Sequence, residues 1–443
     1  MLDLVLPDDE RYSLSRNQFI GRPVEVLPRA VARCRSAEDV IEALALGSPF
    51  AVRGGGHSNA CHSSTDSLVL DLSPAGEITI DGTRVTAGAG VRTGQLATFL
   101  SPQGLLVPAG SCPSVGLIGA ALGGGFGSHG RQHGLTCDRL LAAEVVLVDG
   151  RVVIADENHQ PELFWALRGA GGGNFGVVTQ AIFDAVPSAQ RTHVRFAWEW
   201  EHAAELIQQW QEWAPYAADD TSVELVLMCP DYAEDPPEVI LIGAGDVTEF
   251  LSWVKEPRFA EVKHLSAEEA ALFHATPASA VAHDPVSIQL IHDRPGMSTA
   301  KTEFFDQPLP RDAIDPLIAH FVAGRVHGEM REVAFTPWRG AYSRVPAHAT
   351  AFAHRDAAYL VKHTVLVGPV GAARRGHEAL DWLAKSWAAI HPWGTGRAYP
   401  NFPDPALPDW LTAYYATNAD RLRAVKRTYD PDNVFRFAQS VPA

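Results

Sequence analysis

The chain has 443 residues, 46% of them hydrophobic and 20% charged, a balance that describes a globular protein with a sizeable core and excludes an extended disordered one. Its 36 Lys and Arg against 52 Asp and Glu leave a net charge of −16, which repels phosphate backbones and argues against a nucleic-acid partner. No window holds the roughly 18 or more uninterrupted apolar residues of a membrane span, and the acidic, proline-containing start "MLDLVLPDDE" is unlike a secretory leader, so the expected location is cytoplasmic.

In chain order, Ser36 is placed to cap a helix over 37–46, with Asp39 in the first turn where the helix dipole favours an acid. "PFAVR" reads as a buried strand running into the glycines that follow it. "ITIDGTRVTAG" and "EVVLVDGRVVIAD" each set Asp-Gly between β-branched runs, a hairpin signal. Beyond residue 190 the texture changes. Longer alternating strands ("HVRFAWEW", "SVELVLMC", "EVILIGAG", "AAYLVKHTVLVG") appear with amphipathic helices ("HAAELIQQWQEWA", "AARRGHEALDWLAKSWAAI"). An antiparallel sheet with helices on one face is predicted there. From about 395 the chain is turn-rich and ends in a helix, "NADRLRAVKRTYD", expected to rejoin the first domain. The expected class is α+β, with a domain over 1–190, a second over 191–394 and a returning segment over 395–443.

Five cysteines (Cys34, Cys61, Cys112, Cys137, Cys229) are scattered without a CxxC pair, so neither a zinc site nor a redox disulfide is expected. Three glycine-rich stretches stand out: "RGGGHS" at 53–58, "PAGSCPSVGLIGAALGGGFGSHGRQHGL" at 108–135 and "LRGAGGGNFGVVT" at 167–179. Glycine lets backbone approach a ligand closely and lets successive N–H groups gather round phosphate oxygens, so three such loops imply a large phosphorylated cofactor. None fits the dinucleotide fingerprint, which opens a helix after a parallel strand and needs an acid about 20 residues on, and no Gly-Lys-Ser or Gly-Lys-Thr completes a P-loop.

Together these blocks resemble the berberine bridge enzyme-like flavoproteins of the vanillyl-alcohol oxidase fold superfamily. "RGGGH", "PAGSCPSVG", "LGGGFGSHGRQHGLTCDRL", "LFWALRGAGGGNFGVVT", "AYPNF" and "YDPDNVFRFAQSVP" are similar to family blocks and occur in the family's order. The resemblance implies a two-domain FAD-binding fold with an antiparallel substrate domain covered by helices. It implies FAD held through two bonds, from His57 to the flavin 8α carbon and from Cys112 to C6. It also implies flavin contacts from Arg53, Gly54, Gly55, Gly56, Ser58, Gly110, Ser111, Val115, Gly116, Gly119, Gly124, Gly127, Val178, Tyr399 and Asn401. Val115, third after the anchoring cysteine, falls at the position that gates oxygen, where a small side chain implies an oxidase releasing hydrogen peroxide.

The chain departs from the family at the catalytic base. The usual Tyr-x-Asn-Tyr reads "YPNF", so Phe402 replaces the tyrosine that would take a proton. A glutamate used instead by the berberine-forming member falls, counting back from His354 and Arg355 along "GAYSRVPAHATAFAHR" read as a strand, near Ala349, which has no carboxylate. Tyr342, His348 and His363 are the candidate bases, and a phenol or enol substrate would ionise itself. The expected reaction is FAD-dependent oxidation of a small organic molecule, phenolic or another secondary metabolite, with dioxygen as acceptor. A carbohydrate or alcohol oxidase of the same fold, and a flavin-binding homologue acting as a cyclase or scaffold, stay open.

Overall fold

The computed structural model describes residues 2–19, 26–272 and 296–443. Strands β1 (Asp3–Val5), β2 (Ala30–Arg33), β3 (Phe50–Arg53) and β4 (Leu68–Asp71) form a sheet of order β1-β2-β4-β3, parallel except at β1. After β5 (Ile78–Asp81) and β6 (Arg84–Gly88), a two-residue β7 (Leu105–Leu106) pairs with the later β11 (Val186–Pro187). β8 (Leu140–Val146), β9 (Val152–Ala155) and β10 (Val177–Asp184) complete an antiparallel sheet of order β5-β6-β10-β8-β9. The Asp-Gly signals become turns as expected. Asp81 pairs with Arg84 across a two-residue turn in which Gly82 has φ +59°, and Gly150 at +81° lies between β8 and β9. The helix Ala37–Leu44 begins where expected, with Ser36 Oγ accepting from the Asp39 N–H at 3.4 Å, and stops two residues early.

The third sheet holds β12 (Arg191–Glu199), β13 (Ser222–Cys229), β14 (Glu238–Ala244), β15 (Phe259–Leu265), β16 (Met297–Phe305), β17 (Glu329–Pro337) and β18 (Tyr359–Val367) in the order β15-β12-β14-β13-β17-β18-β16, antiparallel throughout. Side chains alternate across a strand, so its two faces separate cleanly. Leu225, Leu227, Val333, Phe335, Val361 and Val365 form one face, packed against the helices Ala203–Trp213, Arg311–Val322 and Pro369–Ala388. The other face has a small apolar patch of Ala197, Val226, Ile240, Ile242 and Ala334, and no helix covers it among the described residues.

The tail returns to the first core, where Tyr414, Leu422, Val425, Phe435 and Val441 pack among residues from the first two sheets. Lys426 pins it there. Its ammonium is fully buried, pairs with Asp430 at 2.7 Å and donates to the carbonyls of Phe435 at 2.6 Å and Asn174 at 2.7 Å.

The segment 340–355, expected as a strand, is not one. It is a short helical turn, Gly340–Arg344, followed by irregular chain. Its backbone groups are taken by side chains and loops rather than a neighbouring strand. Asn418 Nδ2 donates to the carbonyls of Ala347 and Thr350, Trp165 Nε1 to that of His348, and the Phe352 N–H bonds Arg168 O. Arg355 closes the segment with two bonds to Asp138, at 2.8 and 2.7 Å, both side chains buried.

Candidate active site

A cleft of about 710 Å³ lies between the glycine-rich loops and the uncovered face of the third sheet. Its loop wall is built by close backbone contact. A Cβ on Gly55 would sit 2.3 Å from the Gly116 nitrogen, and one on Gly116 would sit 2.6 Å from the Gly55 nitrogen, so the first two glycine-rich stretches meet where neither tolerates a side chain. Arg92 holds the junction, its Nη1 donating to Gly55 O at 2.5 Å and Ser114 O at 3.0 Å. The turn Cys112–Val115 is closed by Val115 N–H to Cys112 O at 3.2 Å and fixed by Thr93, whose hydroxyl donates to Cys112 O at 2.7 Å. Gly56, at φ +69°, turns the chain into His57, whose ring stacks on Phe19 at 3.8 Å.

His57, Cys112 and Val115 therefore line one cleft from two loops in contact. Gly54, Gly55, Gly56, Ser58, Gly110, Ser111, Gly116, Gly119, Val178, Tyr399 and Asn401 line it as well. The tail supplies Tyr399, whose hydroxyl accepts from the Gly125 N–H at 2.9 Å and from Asn401 Nδ2 at 3.1 Å. The residues fit a large flat cofactor. Gly119 sits inside the helix Leu117–Leu122, where glycine costs about 1 kcal/mol against alanine, and nothing lies within 4 Å of the Cβ it lacks. Gly172 has the same open surroundings, and Gly173, at φ +73°, follows it on the cleft wall. These glycines are not required by packing, and the space they keep open is the cleft. Its volume is that of a cofactor site.

Three of the expected cofactor contacts, Arg53, Gly124 and Gly127, do not line this cleft. The Arg53 guanidinium turns away from the cleft, donating to the carbonyls of Ser15, Arg16 and Asn17 beside Asp71 at 3.4 Å. Gly124, at φ +119°, makes room for the Phe352 ring, and Gly127 for the carbonyl of Ala109. The three candidate bases are also elsewhere. His363 lies on the helix-covered face of β18, its Nδ1 2.8 Å from Ser386 Oγ, and burial pushes its pKa down to about 3. His348 is exposed on the irregular 345–358 chain, and Ala349 follows it there. Tyr342 is buried with its hydroxyl donating to Gly127 O at 3.1 Å, and burial pushes its ionisation well above the usual phenol range.

The sheet wall carries the titratable groups instead. Glu224 on β13, Glu332 on β17 and Lys362 on β18 all line the cleft. Lys362 Nζ pairs with Glu332 Oε1 at 3.0 Å and lies 5.4 Å from the centre of the Phe402 ring, a cation–π approach. Burial works against its charge, but Glu332 and Glu224 outweigh that and raise its pKa. Glu224 Oε1 accepts from Thr336 Oγ1 at 2.8 Å. Burial raises the Glu224 pKa, against the opposing pull of Lys362. The missed signal was local: Lys362 and His363 are neighbours on opposite faces, and a lysine inside "AAYLVKHTVLVG" and a glutamate inside "SVELVLMC" mark the uncovered face. No group of three or more metal-binding side chains occurs among the described residues.

Glycine-rich loops that leave room for a large flat cofactor, opposite an antiparallel sheet with acid–base side chains, are the arrangement expected of a flavin-dependent oxidoreductase. Residues 28–156 match the FAD binding domain model and residues 398–442 the model for berberine and berberine-like proteins. An uncharacterized FAD-linked oxidoreductase of Bacillus subtilis, YgaK, is 33% identical over 462 residues, covering 99% of this chain and 96% of its own. A xylooligosaccharide oxidase of Thermothelomyces thermophilus is 28% identical over 94% of this chain and 87% of its own. The structure of berberine bridge enzyme-like 1 from Physcomitrella patens superposes with a TM-score of 0.85 at 24% identity, covering 100% of this chain and 97% of the other. The chain belongs to the berberine bridge enzyme-like FAD-linked oxidoreductases. Its α+β fold is the two-domain FAD-binding fold of the vanillyl-alcohol oxidase type.

Proposed function

We propose that this protein is an oxidase carrying FAD bonded to both His57 and Cys112, and that it takes a hydride from a small, flat, hydroxylated organic molecule of secondary metabolism. The observation that carries the reading is the placement of His57 and Cys112 on one wall, from loops in backbone contact, opposite a sheet face bearing Glu224, Glu332 and Lys362. When bound, FAD supplies the two-electron acceptor and passes the electrons to dioxygen, giving hydrogen peroxide. Val115, on the loop wall beside Cys112, is the proposed gate for oxygen. Gly54, Gly55, Gly56, Ser58, Gly110, Ser111, Gly116, Gly119, Val178, Tyr399 and Asn401 would hold the cofactor.

The substrate class follows from the facing wall. Val226, Met330, Ala334, Leu366 and Phe402 offer apolar contact around one ammonium and two carboxylates, which suits an aromatic ring with an acidic hydroxyl better than an oligosaccharide such as the Thermothelomyces relative's name specifies. We assign residues 1–190 and 395–443 to cofactor binding and 191–394 to the substrate. The scattered cysteines, four of them buried and none in a CxxC pair, are in keeping with a reducing, cytoplasmic setting.

The test is acid precipitation of the purified protein. Flavin should stay with the polypeptide in the wild type and in His57→Ala and Cys112→Ala singly, and be released from the double variant. Free release from the wild type refutes the double attachment. Anaerobic flavin bleaching by a panel of phenols and oligosaccharides then decides the substrate class, and rapid bleaching by the sugars alone overturns the phenolic reading.

A further inference from the structure

Glu224 stands between two cavities. On one side it lines the cleft. On the other it lines a second cavity of about 30 Å³, bounded also by Ser111, Ser128, Ser222, Thr336 and Tyr342. That volume accommodates a single water, and the serine hydroxyls supply the polar partners that a buried water needs. Ser128 of its lining is tied through Arg191 to the exposed Asp220: Arg191 Nη1 donates to Ser128 O at 2.9 Å and Nη2 to Asp220 O at 2.5 Å.

We propose that Glu224 is the catalytic base: its carboxylate takes the proton that the substrate loses on oxidation and hands it to water in the second cavity. The inference rests on the oxidase reading above. The substrate's O–H hydrogen moves to a carboxylate oxygen of Glu224, and the bonding pair stays on the substrate oxygen. That pair becomes a C=O bond, or its conjugated equivalent, as a hydride leaves carbon for the flavin, the two-electron acceptor. Glu224 returns to its carboxylate when the second cavity takes the proton on.

Glu332 is the competitor, and geometry disfavours it. Its Oε1 is engaged by Lys362 at 3.0 Å, so protonating it breaks an ion pair. Among the described residues, the side-chain partner of Glu224 at hydrogen-bond distance is a neutral hydroxyl, that of Thr336. The groups facing it are Thr336 and Glu332 from β17, Lys362 from β18 and Ile242 from β14, together with the Tyr342 ring across the second cavity. Lys362 is placed to stabilise the oxyanion left on the substrate, next to Phe402. This arrangement does the work that a tyrosine at position 402 would do from the tail.

The test uses the purified holoprotein and 4-nitrophenol, whose ionised form is yellow. At about pH 6 the free phenol is mostly protonated, and bound to the wild type it should show the ionised colour, with Glu224 holding the proton. Glu224→Gln should abolish that colour while keeping its flavin, Glu224→Asp should restore part of it, and Glu332→Gln should keep it. Infrared pH-difference spectra give a second readout that needs no ligand: a protonated-carboxyl component titrating above the ordinary carboxylate range should be present in the wild type and in Glu332→Gln and be lost from Glu224→Gln, which keeps only what the buried Glu303 contributes. With any substrate that bleaches the flavin, Glu224→Gln should slow reduction by roughly 10²-fold or more. Glu332 is the base instead if its variant alone loses both signals. The proposal is overturned if the wild type binds the probe as the neutral phenol, or if no band depends on Glu224. If the purified protein holds no flavin but both signals depend on Glu224, the oxidase reading fails and the proton acceptor stands.

Discussion

Gly55→Ala isolates the contact that builds the loop wall. Gly55 has no positive φ to relieve, so the demand at this position is steric. The added methyl would lie 2.3 Å from Gly116 N, 2.8 Å from Gly116 Cα and 2.9 Å from Arg92 Nη1. Since real Cβ contacts do not fall below 3.0 Å, the two loops must separate by at least 3.0 − 2.3 = 0.7 Å. Backbone is the obstacle on both sides and cannot rotate away as a side chain would. Overpacking of this kind costs about 1–3 kcal/mol, and the Arg92 bonds to Gly55 O and Ser114 O lengthen with the separation. His57 and Cys112 ride on these two loops, so the same shift pulls their side chains apart. Denaturant unfolding should show the loss of stability, and acid precipitation should release part of the flavin that the wild type retains. Gly76→Ala is the control, an exposed glycine with nothing within 4 Å of its Cβ and no positive φ, and should change stability by no more than about 0.5 kcal/mol. If Gly55→Ala unfolds like this control and releases no more flavin than the wild type on acid precipitation, the close contact between the loops is not what shapes the wall.

Lys426→Met leaves Asp430 and two carbonyls buried without their cation; it should cost about 3–5 kcal/mol in denaturant unfolding, and a loss under 1 kcal/mol would show that the tail is anchored otherwise. Acid should destabilise the fold well before its carboxylates are exhausted. His129, His354 and His363 are buried, and burial pushes each from 6.5 down to about 3. Folded-state pKa values below the unfolded ones mean that stability is complete above about pH 6.5 and is lost as pH falls toward 3. Three such groups give a slope of up to about 4 kcal/mol per pH unit, and a denaturation midpoint unchanged from pH 7 to pH 5 would refute the neutral-histidine picture. Val115→Leu should slow reoxidation of the reduced flavin by dioxygen while leaving anaerobic reduction by substrate intact, and an unchanged oxygen rate removes Val115 from the gate.

Some features needed only the sequence. The glycine loops, the hairpins at Asp-Gly, the capped helix after Ser36 and the strands beyond residue 190 are local, because turn chemistry and side-chain alternation act over a few neighbouring residues. The family was legible for the same reason, since its motifs are short runs of backbone-limited residues. What the sequence left open was which face of a strand meets the cleft. Lys362 and His363 are one residue apart, and only the packing of the helix Pro369–Ala388 on β18 turns the histidine inward and leaves the lysine facing the cofactor loops. The irregular course of 340–355 is likewise a tertiary outcome. Asn418 and Trp165, from distant parts of the chain, take backbone hydrogen bonds that a neighbouring strand would have supplied, and Asp138 holds the Arg355 guanidinium at the end of the segment. Arg53 shows the same limit from the other side: a guanidinium beside a glycine loop invites a phosphate, and only the folded chain shows that Asp71 and three carbonyls of residues 15–17 already hold it.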